Sequence, residues 1–404
     1  MRGGTSRHEH VHMKRCLMFF AVALSACTLG STADPSTPPP SVSASASATL
    51  RPAPSSTSTV KPTPPSSPAP TLVSPAAPFA TAVHFVDREH GWLGLSDGIL
   101  ASIDGGTTWS SQLSGVPVGG LWAYDARDAW APSGSDLYRT VDGVHWNHVS
   151  SAASEISEVQ FVTPLVGWLV ATQPTPVPFT GRVQLAGSLL GSTDGGLTWQ
   201  PVSTRSIRSV CFTDERNGWG ADGKAVFKTT DAGRTWTTLI DLTIADDGPW
   251  YPTIRCADAT NARVQVTEPF AALSHRPYLM YRTSDGGKSW VLEYRELYTL
   301  GQTTPREIPQ LGSYPSLFNA LRDHDTWIVT CSPPAQTQEM LVLSPAGAVL
   351  GRGAIPFNSC ANDASFVDAQ HGWVIGPEYH ASETESVGLR TLDGGASWER
   401  IYPP

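Results

Sequence analysis

Six aspartates recur in one local setting. Asp104, Asp142, Asp194, Asp231, Asp285 and Asp393 each stand two residues after a Ser or Thr. Each is followed by glycine or, at Asp231, by Ala-Gly. A single carboxylate in a cleft does acid–base chemistry or holds a metal. Six copies at one spacing point instead to a structural task. Asp accepts backbone N–H groups across a tight turn. The glycines supply its positive-φ positions, and the Ser or Thr hydroxyl adds a second local bond. The tryptophan that closes each copy buries a large ring.

Other chemical signals are weaker. His8-Glu9-His10-Val11-His12 matches H-E-x-x-H, in which two histidines on one helix face bind zinc. Here it precedes an apolar export segment, outside any folded unit, and is set aside. No C-x-x-C occurs. The remaining histidines are scattered, and the pair His145 and His148 is expected to point to opposite faces of a strand. Asp246-Asp247-Gly248 lacks the further oxygen ligands of a calcium loop. No metal and no cofactor is expected.

The elements that must hold the aspartates emerge from the repeats. The full copies are SIDGGTTW from Ser102, STDGGLTW from Ser192, TTDAGRTW from Thr229, TSDGGKSW from Thr283 and TLDGGASW from Thr391. TVDGVHW from Thr140 is a short copy, and LSPAGAVL from Leu343 keeps only the outline. A second motif alternates with the first: FVDREHGW from Phe85, FVTPLVGW from Phe161, FTDERNGW from Phe212 and FVDAQHGW from Phe366. YDARDAW from Tyr124, CADATNAR from Cys256 and ALRDHDTW from Ala320 are weaker copies. Each motif thus has seven places. Of the 14 tryptophans, only Trp122 and Trp250 fall outside both. Seven units in residues 81–404 give about 46 residues each, the size of a propeller blade. Alternating apolar stretches around the motifs predict four short strands per unit. The expected fold is all-β: a single seven-bladed β-propeller.

The S-x-D-G-G-x-T-W pattern resembles the Asp-box, or bacterial neuraminidase repeat. Its interleaving with F-x-D-x-x-x-G-W is similar to the photosystem II assembly and stability factor family of propellers. The resemblance covers essentially all of 81–404 and implies the fold more than a function. Sialidases, which share the Asp-box, use three arginines, a Tyr–Glu pair, an Asp and an early R-I-P motif. The nearest strings here, His275-Arg276-Pro277-Tyr278 and Pro305-Arg306-Glu307-Ile308-Pro309, both lie late. Xyloglucanase-type enzymes use two such propellers, and this chain has one. A catalytic set is not expected.

Upstream, Lys14-Arg15 precedes the apolar stretch from Cys16 to Cys27, an export signal. Leu24-Ser25-Ala26-Cys27 resembles the bacterial lipobox, which implies cleavage after residue 26 and acylation of Cys27. Residues 27–80 then form a linker. Between Thr28 and Ala80 lie 13 prolines, 12 serines, 8 threonines and 9 alanines. This composition predicts a disordered, extended spacer. The expected location is the extracytoplasmic side of a bacterial membrane, held by acyl chains alone. The formal net charge of −9 argues against nucleic acid as a partner.

Topology then divides the disc. Both tight-turn motifs fall on one face, and the longer insertions fall on the other. The insertions are Ala171–Gln184, Thr267–Leu279, Ser332–Met340 and Pro377–Gly388 within units, and Ile240–Ile254 and Val291–Leu317 between units. Loops on a rigid scaffold are where binding resides. The candidate binding residues are Trp250, Tyr251, Arg276, Tyr278, Tyr298, Arg306 and Tyr379. The expectation is a monomeric, non-catalytic scaffold for a protein or glycan partner, with a cell-surface glycoside hydrolase as the alternative.

Four cysteines remain for an oxidising compartment. Cys331 and Cys360 are expected to pair, because both lie at strand ends on the loop-rich face. Cys211 and Cys256 sit in first strands of adjacent units with a one-residue offset. That offset turns them to opposite sides of their strands, so their bridge is left open.

Overall fold

The computed structural model describes residues 77–176, 183–242, 251–267, 277–296, 314–320, 326–331, 338–356, 358–380 and 383–403. They form seven four-stranded antiparallel sheets, each built from consecutive strands. Blade 1 spans Ala80–Ser114, blade 2 Trp122–Ser151, blade 3 Glu155–Pro201 and blade 4 Ser209–Asp241. Blade 5 spans Tyr251–Glu296, blade 6 Tyr314–Ile355 and blade 7 Asp363–Tyr402. The protein is a seven-bladed β-propeller.

The repeated aromatics hold adjacent blades together. The Phe of one blade stacks flat on the Gly-Trp tryptophan of the blade before it. Trp130 meets Phe161 at 3.7 Å between ring centroids, Trp168 meets Phe212 at 3.5 Å and Trp327 meets Phe366 at 4.1 Å. The same tryptophans reach into the next blade's Asp-Gly turn: Trp130 Nε1 donates to Gly195 O at 2.9 Å, and Trp168 Nε1 to Ala232 O at 3.0 Å. The turn tryptophan can reach the opposite way, as Trp109 Nε1 does to Ile401 O at 3.0 Å. At the junctions where these bonds form, large rings are buried with their polar edges satisfied.

Among the described residues, no strand is exchanged to close the ring. Blade 1 supplies its own four strands and meets blade 7 through the ordinary clamp. Phe85 stacks on Trp373 at 3.7 Å, and Trp373 Nε1 donates to Gly105 O at 2.9 Å. Arg390 adds a bond to the same carbonyl, and Tyr402 donates to Pro78 O.

The inner strands are sheet edges with unpaired N–H groups. Side chains of the preceding blade satisfy them two residues apart. Glu158 and Gln160 accept from Val210 N and Phe212 N at 2.9 and 2.8 Å. Asp363 and Ser365 accept from Val83 N and Phe85 N at 3.0 and 2.9 Å. Ser209 accepts from Ile254 N at 3.1 Å.

This arrangement settles the bridge left open by the sequence. Cys211 and Cys256 are disulfide-bonded, with Cα atoms 5.9 Å apart. The residue before the motif Phe faces the next blade, whereas the Phe position faces the previous one. Cys211 occupies the first place and Cys256 the second, so the one-residue offset makes them meet. The alternation was right, but adjacent blades present opposite faces to each other. Cys360 is also disulfide-bonded. The side chain of Cys331 lies outside the described residues.

Candidate functional site

The two faces differ in what their polar groups do. On the face of the Asp-Gly turns, each carboxylate is engaged within its own turn. Asp231 Oδ1 accepts Thr235 N at 2.8 Å, its Oδ2 accepts the Thr235 hydroxyl at 2.6 Å, and the Thr229 hydroxyl donates from the other side. Asp104, Asp194, Asp285 and Asp393 repeat this pattern. Asp142, in the short copy, accepts Val144 N and His145 N and pairs with the His145 ring. The Thr235 hydroxyl and N–H hold the Asp231 carboxyl down at about 2, and those of Ser397 do the same for Asp393. For Asp194, burial pushes upward but the Thr198 bonds outweigh it, again to about 2. Gly105 and Gly106 sit at φ of +71° and +89°, where a side chain is strained. Carboxylates held this way are staples, and not general acids at neutral pH.

The opposite face carries longer hairpins. Two segments expected as loops are instead ladder extensions. Gly167–Pro176 pairs residue for residue with Val183–Ser192, and Gly372–Tyr379 pairs with Thr384–Thr391. The second hairpin turns where His380 N donates to Glu383 O. Asn358, just ahead of blade 7, brackets it by accepting from Tyr379 N and donating to Tyr379 O. Tyr379 is left 59% exposed. Glu378 and Glu385 stand directly opposite each other. Like charges so placed repel, and an ion pair from Arg400 to Glu385 offsets this, with His380 Nε2 3.8 Å from Glu385 Oε2. The carboxylates of Glu378 and Glu385 and the His380 ring lie within 4.8 Å of one another.

The other candidates separate. Tyr251 is half-buried at the start of the first strand of blade 5, beneath Arg208, whose guanidinium carbon lies 5.7 Å from the ring centroid. Tyr278 was expected in a loop but is fully buried in a strand, packed with Met280, Tyr294 and Ile328. The strand begins at Tyr278, and alternation turns the ring inward. Trp250, Arg276, Tyr298 and Arg306 lie outside the described residues. His145 and His148 pair with Asp142 and Asp136 respectively, not with each other.

Sequence reasoning passed over two features. Gly94-Leu95-Ser96-Asp97-Gly98 matches the G-x-S-x-G spacing of a hydrolase nucleophile. It forms a β-turn between two strands of blade 1, and Ser96 Oγ accepts Phe79 N at 3.1 Å. A nucleophile elbow needs a strand-to-helix turn, so this is not one. The second feature is the central channel, a cavity of about 580 Å³ that Glu158, Arg255, Asp363 and His84 help to line. Arg255 Nη1 meets Glu158 Oε1 at 3.1 Å. Loss of solvent pushes the Asp363 carboxyl up to about 6, against bonds from Val83 N and Ala364 N. Desolvation likewise raises the Glu158 carboxyl and lowers His84 to about 4. The signal was present as polar positions one and three residues before Phe161 and Phe366, in EVQF and DASF, with Ser209 in SVCF and His84 in AVHF as partial copies. Glu158 and Asp363 both satisfy strand-edge N–H groups, so their structural task is defined.

The chain matches no protein-family profile and no curated protein sequence. Among solved structures it is similar to an ancestral GH74 enzyme, with a TM-score of 0.51 and 15% identity. That match covers 83% of this chain and 48% of the other. It is also similar to PorZ, a bacterial surface component of the type-IX secretion system of Porphyromonas gingivalis. There the TM-score is 0.48, the identity 9%, and the coverage 81% of this chain and 38% of the other. The chain thus spans less than half the length of either protein. At these identities the likeness shows the propeller fold alone.

Proposed function

We propose that this protein is an exported, lipid-anchored propeller that acts as a non-catalytic scaffold for a protein or glycan partner. Binding is assigned to the face opposite the Asp-Gly turns. The observation that carries this reading is the asymmetry of the disc. Turn carboxylates on one face are consumed by their own turns, whereas the other bears the extended hairpins and an unburied Tyr379. Aromatic and arginine residues suit such contact surfaces.

The export reading rests on the lipobox-like Leu24–Cys27 and on the Cys211–Cys256 bridge, which belongs to an oxidising compartment. The protein would sit in the cell envelope of a bacterium as a monomer, with Cys27 acylated. The turns support the Asp-box resemblance and, with it, kinship to the assembly-factor propellers. Cys331 is the proposed partner of Cys360.

The hydrolase alternative has one observation in its favour, the neighbouring carboxylates of Glu378 and Glu385. A glycosidase places its two carboxyl groups on either side of the scissile bond. These two stand side by side on one hairpin, and Arg400 occupies Glu385, so the scaffold reading is preferred.

Metabolic labelling with a fatty acid, followed by affinity recovery from membranes, tests the proposal. Label and membrane retention should both vanish in Cys27→Ala. Persistent labelling of that variant would contradict the anchor, and turnover of a cell-surface glycan by purified protein would contradict the scaffold.

A further inference from the structure

The turn face is not chemically uniform. Leu392, Ile103, Val141, Val144, Leu165 and Leu197 occupy its turn tips and are 51% to 74% exposed. They belong to blades 7, 1, 2 and 3, which are consecutive around the closed ring. The matching tip positions in blades 4 and 5 are Thr230, Arg234, Ser284 and Lys288. Aliphatic side chains at turn tips lose free energy to water without helping the turn, and grouped exposure of this kind marks interaction surfaces.

The same sector is strongly acidic. Its turns hold nine carboxylates against Arg88 and Arg127, with Arg139 and Arg390 reaching into the same turns from adjoining strands, so the sector keeps a negative excess. Local turn bonds keep Asp104, Asp194 and Asp393 ionised. At its hub opens a cavity of about 680 Å³, lined in part by Trp122, Tyr124, Asp87, Glu89 and Asp368. An anionic bilayer would be repelled by this charge. A segment carrying both aliphatic and Lys/Arg side chains is complementary to it.

We infer that the turn face of blades 7, 1, 2 and 3 is a second docking surface, which takes a cationic amphipathic segment of a partner protein. Aliphatic side chains of the partner cover the tips, and its cations lie over the acidic turns towards the hub. This surface is independent of the loop-rich face and goes beyond the scaffold reading.

The probe is a fluorescent amphipathic leucine–lysine peptide titrated into the purified full-length protein, with a leucine–glutamate peptide as its counterpart. The lysine peptide should bind and weaken in high salt, and the glutamate peptide should not bind. Combining Ile103→Ser, Leu197→Ser and Leu392→Ser should weaken binding roughly tenfold or more with an unchanged melting temperature. Val349→Ser with Leu350→Ser, exposed aliphatics of blade 6, should change nothing. Several results would overturn the inference. They are no binding of the lysine peptide, equal binding of the triple variant, or preference for the glutamate peptide. Capture of phosphatidylglycerol vesicles through these tips would replace the partner with a membrane. A concentration-dependent dimer abolished by the triple variant would replace it with a second copy.

Discussion

The turn face and the loop-rich face are built from the same seven units under opposite constraints. On the turn face, a residue such as Asp231 serves its own turn, and the neighbouring Ala232 carbonyl serves the previous blade's tryptophan. Changing such a residue breaks structure before it can change binding. On the loop-rich face, Tyr379 extends from a hairpin whose backbone is held by Asn358, and among the described residues its ring makes no hydrogen bond. The lesson is that repetition marks what the fold needs, while departures from repetition are where the proposed scaffold would hold a partner.

Substitutions that remove the repeated clamps should have the largest effects. Trp168→Ala deletes a buried ring, its stack on Phe212 and its bond to Ala232 O. A loss of about 3–5 kcal/mol is expected, measured by denaturant unfolding. A loss below about 1 kcal/mol would show that the rings fill space without clamping the blades.

The blade 4–5 junction sharpens the comparison. Trp219 has no Phe to stack on there, because Cys256 occupies that place. The disulfide staples this junction instead. Replacing Cys211 and Cys256 together by serine should cost about 2–4 kcal/mol for a loop of this length. Unchanged unfolding midpoints with the bridge removed would mean that packing alone secures this junction.

A turn aspartate comes next. Asp194→Ala leaves the N–H and hydroxyl of Thr198 without their acceptor. About 1 kcal/mol should be lost, since these groups are open to water. The deficit should shrink as the pH falls towards 2, where the native carboxylate itself becomes protonated.

The channel predicts a subtler pH effect. Folding lowers His84 from 6.5 to about 4, so its contribution to stability is lost as the pH falls through that window. Folding raises Asp363 from 3.8 to about 6, so stability is gained on acidification over nearly the same range. The two oppose each other. His84→Gln should therefore melt higher at pH 5 than at pH 7, relative to wild type, and Asp363→Asn should melt lower. Parallel profiles for all three proteins would refute the assigned shifts.

Much of this architecture was legible because tight turns demand particular residues. The glycines at positive φ, the capping Asp and the paired Phe and Trp recur wherever the geometry recurs. Less legible was anything that depends on which surface a strand turns towards its neighbour. Cys211 and Cys256 looked misaligned because alternation along one strand says nothing of how the next blade faces it. Tyr278 looked like a loop residue because the strand boundary, and with it the inward turn of the ring, shifted by a single position. The segments around Ala171 and Pro377 looked like loops because Pro and Thr obscured their strand periodicity, whereas cross-strand pairing extends the ladder. The channel groups were missed because their polar signal is spread one blade at a time.

The smallest stability effect is expected at Tyr379, and it leads to the central test. Tyr379→Ala should change stability by less than about 0.5 kcal/mol. Recovery of the membrane partner should be compared with melting temperature for two variant sets, Tyr379→Ala with Trp250→Ala, and Asp231→Asn with Asp285→Asn. The scaffold account predicts that the first set loses the partner at an unchanged melting temperature. It predicts that the second melts lower yet still recovers the partner below its melting point. Loss of partner from the aspartate set without loss of stability, with full recovery by the Tyr379 and Trp250 set, would contradict the account.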